Sequence, residues 1–170
     1  GCHKRSPVTR RRASNPFEED ETHIVVVGNV VEDRQASGEW APGGPSLYAA
    51  RCAAALGARV TLVTRLPAHY DATALAGLDV IALPAGRAPR YANTYDANGD
   101  RTQLLLDAGE PLDQFPGVAG EIDAVILAPA FHELAGGASA AWECYRAPVR
   151  SISLQGTLRA VQADGRIMTA

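Results

Sequence analysis

Ile24-Val25-Val26-Val27-Gly28 and Arg59-Val60-Thr61-Leu62-Val63 flank an alanine-rich segment over residues 45–56. Short β-branched runs bounded by glycine are typical of strands that are buried on both faces of a parallel sheet. The segment between them has apolar residues at helical spacing, Pro45 in its first turn and Gly57 at its end, which predicts a helix. Strand, helix and strand at this spacing predict a βαβ unit with a right-handed crossover.

Working outward, similar apolar runs predict strands over residues 79–83, 123–127 and 149–154, with helices over 72–76 and 138–145. Residues 91–95 and 101–105 alternate around Asn98-Gly99, which predicts a β-hairpin with a type I′ turn outside the main sheet. Residues 33–42 are interpreted as a polar loop, and residues 160–168 as one short segment. The predicted fold class is α/β, a doubly wound, mostly parallel sheet with a small β-hairpin.

Composition excludes several classes of protein. The chain has 170 residues with 16 Lys+Arg against 19 Asp+Glu, and this mild acidity argues against a nucleic-acid partner. No apolar run approaches the roughly 20 residues of a membrane helix, so no membrane partner is expected. Three widely spaced cysteines exclude a disulfide-rich scaffold and a four-cysteine zinc site, and the four histidines are too scattered to predict a metal site.

The first 22 residues differ from the rest of the chain. A basic block precedes an acidic one, with almost no apolar residue, so residues 1–22 are predicted to be a disordered charged tail. The tail lacks the apolar segment of a secretory signal, and we therefore expect a cytoplasmic protein.

Two features could bind a ligand. Asp33 follows the first strand at the sheet edge where parallel sheets bind ligands, and a carboxylate can accept hydrogen bonds from two neighbouring hydroxyls of a sugar or polyol. A solvated loop acid is the alternative. Gly43-Gly44 precedes the predicted helix, where small residues and free N–H groups allow close approach of a ligand, and a plain tight turn is the alternative.

Strand ends at residues 28–33, 65–67, 128–133 and 154–156 form the predicted ligand-binding edge, and His132-Glu133 at one of them could face the ligand. The sequence has neither a G-x-G-x-x-G fingerprint nor a G-x-x-x-x-G-K-[ST] phosphate loop, which disfavours a dinucleotide-dependent oxidoreductase.

The segment Gly43-Gly44-Pro45-Ser46-Leu47-Tyr48-Ala49-Ala50-Arg51-Cys52-Ala53-Ala54-Ala55-Leu56-Gly57-Ala58 resembles the N-terminal signature of the ribokinase-like (PfkB) carbohydrate kinases. Asp33 lies where that family keeps a sugar-binding Asp, and the hairpin over 91–105 resembles part of the family's β lid. Ser153-Leu154-Gln155-Gly156-Thr157-Leu158-Arg159 is similar to an xQGxLR element of one branch of sugar kinases. The likeness covers residues 23 to about 168.

The resemblance implies phosphoryl transfer from ATP, with Mg2+, to a hydroxyl of a sugar or nucleoside-like substrate. It implies that Asp33, Gly43 and Gly44 hold this acceptor while the lid excludes water. Tyr48 stands where the family usually has Asn, which suggests an acceptor with a flatter or less polar edge. The resemblance also allows a homodimer through the lid strands.

The family's Gly-x-Gly-Asp motif, which carries the catalytic base, does not occur in this sequence. Residues 23–170 are therefore expected to be the N-terminal part of a truncated kinase domain that binds the acceptor but is inactive alone. No catalytic, cofactor-binding or metal-binding residue is assigned. The alternative hypothesis is a non-catalytic interaction module that pairs through an exposed sheet edge.

Overall fold

The structure, a computed structural model, describes residues 21–134 and 136–169. The helices are α1 (Pro45–Ala55) and α2 (Ala138–Cys144), with 3-10 turns at Ala72–Leu75 and Leu154–Gly156. The strands are β1 (His23–Val27), β2 (Val31–Arg34), β3 (Trp40–Gly43), β4 (Arg59–Pro67), β5 (Asp79–Ala85), β6 (Arg90–Tyr95), β7 (Arg101–Asp107), β8 (Ala124–Leu127), β9 (Val149–Ile152), β10 (Arg159–Val161) and β11 (Ile167–Thr169). Of the tail predicted over residues 1–22, only the last two residues are described, so that prediction lies outside the described residues.

Five strands form the main sheet in the order β5-β4-β1-β8-β9, and every neighbouring pair is parallel. The central strand β1 buries Val25, Val26 and Val27 completely, because successive side chains point to opposite faces and both faces are covered. Val26 packs with α1 on one face, and Val25 and Val27 pack with α2 on the other. The predicted doubly wound α/β fold is confirmed.

A second sheet, called the lid sheet below, has the order β3-β2-β6-β7. Strand β2 pairs antiparallel with β3 and parallel with β6, and β6 pairs antiparallel with β7. The interpretation of residues 33–42 as a loop was wrong, since β2 and β3 form a hairpin in which Asp33 pairs with Ala41. The hairpin has no run of apolar residues that would predict strands, because most of its residues face solvent or line the cavity described below. Gly38 and Pro42 also favour a loop prediction.

The turn between β6 and β7 also differs from its prediction. A type I′ turn needs positive φ at both central residues, but His132 is the only described residue other than glycine with positive φ. Gly99 alone takes the left-handed conformation, at φ 86°, and the Asp96 carboxylate accepts hydrogen bonds from the N–H groups of Asn98 and Asp100. The acidic side chain thus stabilises a longer, five-residue loop.

The end of the described chain is a hairpin rather than one segment. Strands β10 and β11 pair antiparallel, and the N–H of Leu105 in β7 donates to the carbonyl of Gly165 in their turn. This hairpin is therefore attached to the lid sheet. None of the described helices is long and apolar enough to cross a membrane.

Candidate functional site

A cavity of about 520 Å³ opens between the lid sheet and the beginning of α1. The two-residue period of strands explains its wall, because alternate residues of each lid strand face the same side. The residues that line it are Val31, Asp33, Arg34, Gln35, Ala36, Gly44, Pro45, Tyr48, Tyr91, Asn93, Tyr95, Arg101, Gln103, Gln155 and Arg159. Polar and aromatic side chains from distant parts of the sequence therefore converge on one space.

Asp33 lies half-buried on β2 and contributes the only carboxylate of this wall. Its Oδ1 accepts a hydrogen bond of 3.2 Å from Asn93 Nδ2. Burial raises the pKa of the Asp33 carboxyl above its ordinary value, and the Asn93 hydrogen bond and the charges of Arg101 and Arg159 oppose this. The second oxygen, Oδ2, points towards Gly43 and is free of hydrogen bonds from described residues.

Gly43 and Gly44 shape the space beside this carboxylate. A Cβ at Gly43 would clash with Asp33 Oδ2 and would lie 3.4 Å from the hydroxyl of Tyr48. Gly44 has φ 99° and precedes α1, and a Cβ there would lie 2.6 Å from Val31 Cγ2. Tyr48, on the first turn of α1, is exposed at the cavity. The structure thus brings together Asp33, Gly43, Gly44 and Tyr48, the four residues named from the sequence.

A linear series of hydrogen bonds fixes the Asp33 carboxylate. Arg159 Nη2 donates to Gln103 Oε1 at 2.8 Å, Gln103 Nε2 donates to Asn93 Oδ1 at 2.8 Å, and Asn93 Nδ2 donates to Asp33 Oδ1. Arg159 Nη1 also donates to the carbonyl of Ala130, beyond the end of β8. This series, called the Arg159–Asp33 relay below, connects β10, β7, β6 and β2 through side chains that line the cavity.

Tyr91 and Arg159 form the buried end of the cavity. Arg159 is 7% exposed, and the carbon of its guanidinium lies 5.3 Å from the centre of the Tyr91 ring. The Tyr91 hydroxyl is buried and has no hydrogen-bond partner among the described residues. Burial raises the pKa of this phenol, so the hydroxyl stays protonated and can donate. A buried polar group without a partner is unusual, and a ligand in the cavity would satisfy it.

His132 and Glu133 do not line this cavity. The Glu133 carboxylate is buried and accepts hydrogen bonds from the N–H groups of Asn29, Ala130 and Phe131 at 2.7–3.1 Å. His132 Nε2 lies 2.6 Å from the carbonyl of Arg159. This pair therefore joins the ends of β1 and β8 and supports β10.

Of the four strand ends predicted to bind a ligand, two contribute to the cavity, residues 28–33 and 154–156. Tyr91, Asn93, Gln103 and Arg159 were not among the predicted site residues. The alternation in residues 91–95 and 101–105 places the first three on one face, and this signal was available. Arg159 ends the Ser-Leu-Gln-Gly-Thr-Leu-Arg element, whose Gln155 also lines the cavity.

Within the described residues, no group of three or more His, Cys, Asp or Glu side chains could hold a metal ion. That part of the chain therefore offers no cluster of three protein ligands for the Mg2+ that the resemblance implies.

Known proteins share this architecture. No protein-family model and no curated protein matches the chain. Among solved structures, a pyrophosphate-dependent kinase in the ribokinase family, complexed with a pyrophosphate analog and myo-inositol, superposes with a TM-score of 0.64 at 21% identity over 86% of this chain. Ribokinase from Arabidopsis thaliana, complexed with ribose and ATP, gives 0.54 at 16% identity over 77%. The nucleoside kinase of Methanocaldococcus jannaschii gives 0.55 at 14% identity over 80%.

The matched regions cover 54%, 53% and 53% of these three proteins, so the chain spans about half of their length. The mostly parallel central sheet of this chain is consistent with these ribokinase-family structures. The chain therefore has a partial ribokinase-like α/β fold, and its elements fit the N-terminal part of that fold.

Proposed function

We propose that this chain is the acceptor-binding part of a kinase that transfers a phosphoryl group to a hydroxyl of a sugar, polyol or nucleoside-like substrate. The observation that carries the proposal is the Asp33 carboxylate, which lines the cavity, is held by the Arg159–Asp33 relay through Oδ1, and has its second oxygen next to Gly43. A fixed carboxylate of this kind accepts hydrogen bonds from hydroxyl groups of a polyol. The resemblance to ribokinase-family kinases supports phosphoryl transfer as the reaction.

We also propose that residues 23–170 correspond to the N-terminal part of such a kinase domain. The sequence has no Gly-x-Gly-Asp motif, and no residue of this chain is assigned as a catalytic base. The chain alone is therefore expected to bind an acceptor without phosphorylating it. ATP remains the donor implied by the resemblance, although a pyrophosphate-dependent kinase is among the similar structures.

Direct binding tests the proposal without needing activity. Calorimetry of the 170-residue chain with ribose, myo-inositol, sorbitol, gluconate and adenosine should give saturable binding of at least one compound. Asp33→Ala should weaken that binding about ten- to a hundredfold, because hydrogen bonds to a charged group contribute about 1.5–3 kcal/mol. Asp79→Ala, at an exposed carboxylate of β5, is the matched control and should bind normally.

Far-UV circular dichroism and the melting temperature should show that Asp33→Ala keeps the fold. Absence of binding across the whole panel, or unchanged affinity in Asp33→Ala, would overturn the proposal.

The alternative is a non-catalytic module that associates through a sheet edge. Strand β9 ends the main sheet and pairs only with β8 among the described strands, and Val149 on it is 59% exposed. In the lid sheet, β7 is partly covered by the turn of β10–β11, which leaves β3 as the more open edge for a homodimer. Light scattering over a range of concentrations distinguishes the two functions, since the module predicts a dimer whose formation does not depend on Asp33.

A further inference from the structure

Hydrogen-bond donors outnumber acceptors on the wall of the cavity. Three guanidinium groups line it, those of Arg34, Arg101 and Arg159, against the single carboxylate of Asp33. None of the three arginines lies within 4.0 Å of a carboxylate among residues 21–134 and 136–169. The wall therefore has a formal excess of two positive charges.

At the buried end of the cavity, this positive charge belongs to Arg159, which lies beside Tyr91. A guanidinium has five N–H donors. Arg159 uses two of them, on Ala130 and Gln103, and its remaining N–H groups lie beside the ring and hydroxyl of Tyr91. The O–H of Tyr91 is itself a donor that has no acceptor among the described residues. Because Arg159 reaches the single carboxylate of the wall, Asp33, only through Gln103 and Asn93, this end of the cavity favours a group that accepts several hydrogen bonds and is negatively charged.

The beginning of α1, on the opposite wall, adds to the positive electrostatic potential of the cavity. Gly44 and Pro45 at the beginning of α1 line the cavity, and this helix has no acidic residue in its first turn and no capping side chain. The partial positive charge of the helix end is therefore not neutralised by a side chain of that turn. Arg101 is exposed at the rim, makes no hydrogen bond with its side chain to a described residue, and is close enough to influence Asp33.

From these observations we infer that the acceptor bound in this cavity carries an anionic oxygen group, a carboxylate or a phosphate, on its polyol. Arg159 and Tyr91 hold that group at the buried end, Arg101 holds it from the rim, and Asp33, the neighbour of Tyr91 across β2 and β6, accepts hydrogen bonds from the adjacent hydroxyls. The planar fork of arginine matches the two oxygens of such a group. This inference rests on the proposed function and names its class of substrate.

The test compares pairs of probes that differ only in charge. Sorbitol and gluconate differ at one terminal carbon, CH2OH against COO−, and glucose and glucose 6-phosphate form the phosphate pair. Calorimetry with the 170-residue chain should give at least about tenfold tighter binding of one anionic member than of its neutral partner, and this preference should weaken as salt rises. Whichever pair shows it identifies the group as a carboxylate or a phosphate.

The variant Arg101→Gln separates specificity from folding, because the Arg101 side chain is exposed and unpaired among the described residues. It should reduce the affinity for the anionic probe about tenfold and the affinity for the neutral probe much less, and Arg101→Lys should restore part of the loss. Arg150→Gln, an exposed arginine on β9 away from the cavity, is the matched control and should change neither. Arg159→Lys tests the buried end, with the melting temperature reporting its fold.

Equal affinity for the neutral and anionic members, with both weakened by Asp33→Ala, would overturn this inference and leave the proposed function standing. Binding of neither member of any pair would overturn the inference, and the proposed function would fall with it only if ribose, myo-inositol and adenosine also failed to bind. A preference for the anion that keeps its full size in Arg101→Gln would also overturn the inference.

Discussion

The main sheet and the lid sheet have the same strand geometry but different roles, since the first forms the apolar core and the second forms the wall of the cavity. The five parallel strands bury apolar side chains on both faces, and α1 and α2 complete two large clusters. The lid sheet contributes to only one small buried cluster, formed by Val31, Tyr91 and Ala130. Its remaining inward positions are occupied by polar groups that line the cavity. Stability is thus concentrated in one sheet and binding chemistry in the other.

This difference predicts how each sheet responds to substitution. Removal of the buried Glu133 carboxylate, which lies beyond the end of β8, should strongly lower the free energy of unfolding. Changes in the lid sheet should alter ligand binding more than stability.

Glu133→Leu should destabilise the protein by roughly 3–5 kcal/mol. The Glu133 carboxylate accepts hydrogen bonds from three backbone N–H groups, which would lose their partner at a buried position. Urea denaturation measures the loss. Glu143→Leu, at an exposed position of α2, is the control and should change stability by less than about 0.5 kcal/mol. Equal midpoints for the two variants would contradict the structural role of Glu133.

Gly44→Ala should destabilise by about 2–4 kcal/mol, since this residue has φ 99° and its Cβ would crowd Val31 at the junction of the lid sheet with α1. Gly57→Ala, at the other end of α1, shares the positive φ but would meet no atom within 4 Å, so it should lose only about 1–2 kcal/mol. The difference between the two midpoints isolates the crowding. Equal midpoints would mean that Val31 moves to accommodate the added methyl group at no cost in stability.

Asp33→Asn should have the smallest effect on the free energy of unfolding, and it should raise stability where the two variants above lower it. Because the folded state raises the pKa of Asp33, the folded protein binds more protons than the unfolded one as pH rises above the ordinary carboxyl pKa. The carboxylate therefore lowers stability progressively across that window, and at pH 7 the asparagine variant should be more stable. The gain should stay under about 1 kcal/mol, since solvent screens this half-exposed group.

Melting temperatures of the wild type and Asp33→Asn between pH 4 and pH 7 check this sign. A variant that is less stable than the wild type at pH 7 would show that Asp33 serves the fold rather than the ligand.

The sequence predicted the main sheet well for a physical reason. Strands buried on both faces must be nearly continuous in apolar residues, so Val25 and Leu62 lie in runs that are visible without the fold. The lid sheet lacks that signal, because one face of β2 and β3 is polar, and their pairing with distant strands decides their conformation.

Some residues of the candidate site could be predicted from the sequence, and others could not. Asp33, Gly43 and Gly44 could be named because they lie near a recognisable strand–helix unit. Arg159 could not, because its position in the cavity depends on how β10 packs beyond the end of β8. Its role follows from contacts between residues that are far apart in the chain.

The parallel pairing of β2 with β6 also has a consequence for the order of folding. Glu32 and Arg90 are 58 residues apart, and the chain between them forms β3, α1, β4 and β5 before it returns to the lid. Closing so large a loop is entropically costly and slow, and it cannot occur on a ribosome until Arg90 has emerged. We therefore expect the β1, β4 and β5 part of the main sheet to form first, since its strands are close in the chain, and the pocket that holds Asp33 to mature late, when the nascent chain has delivered β10.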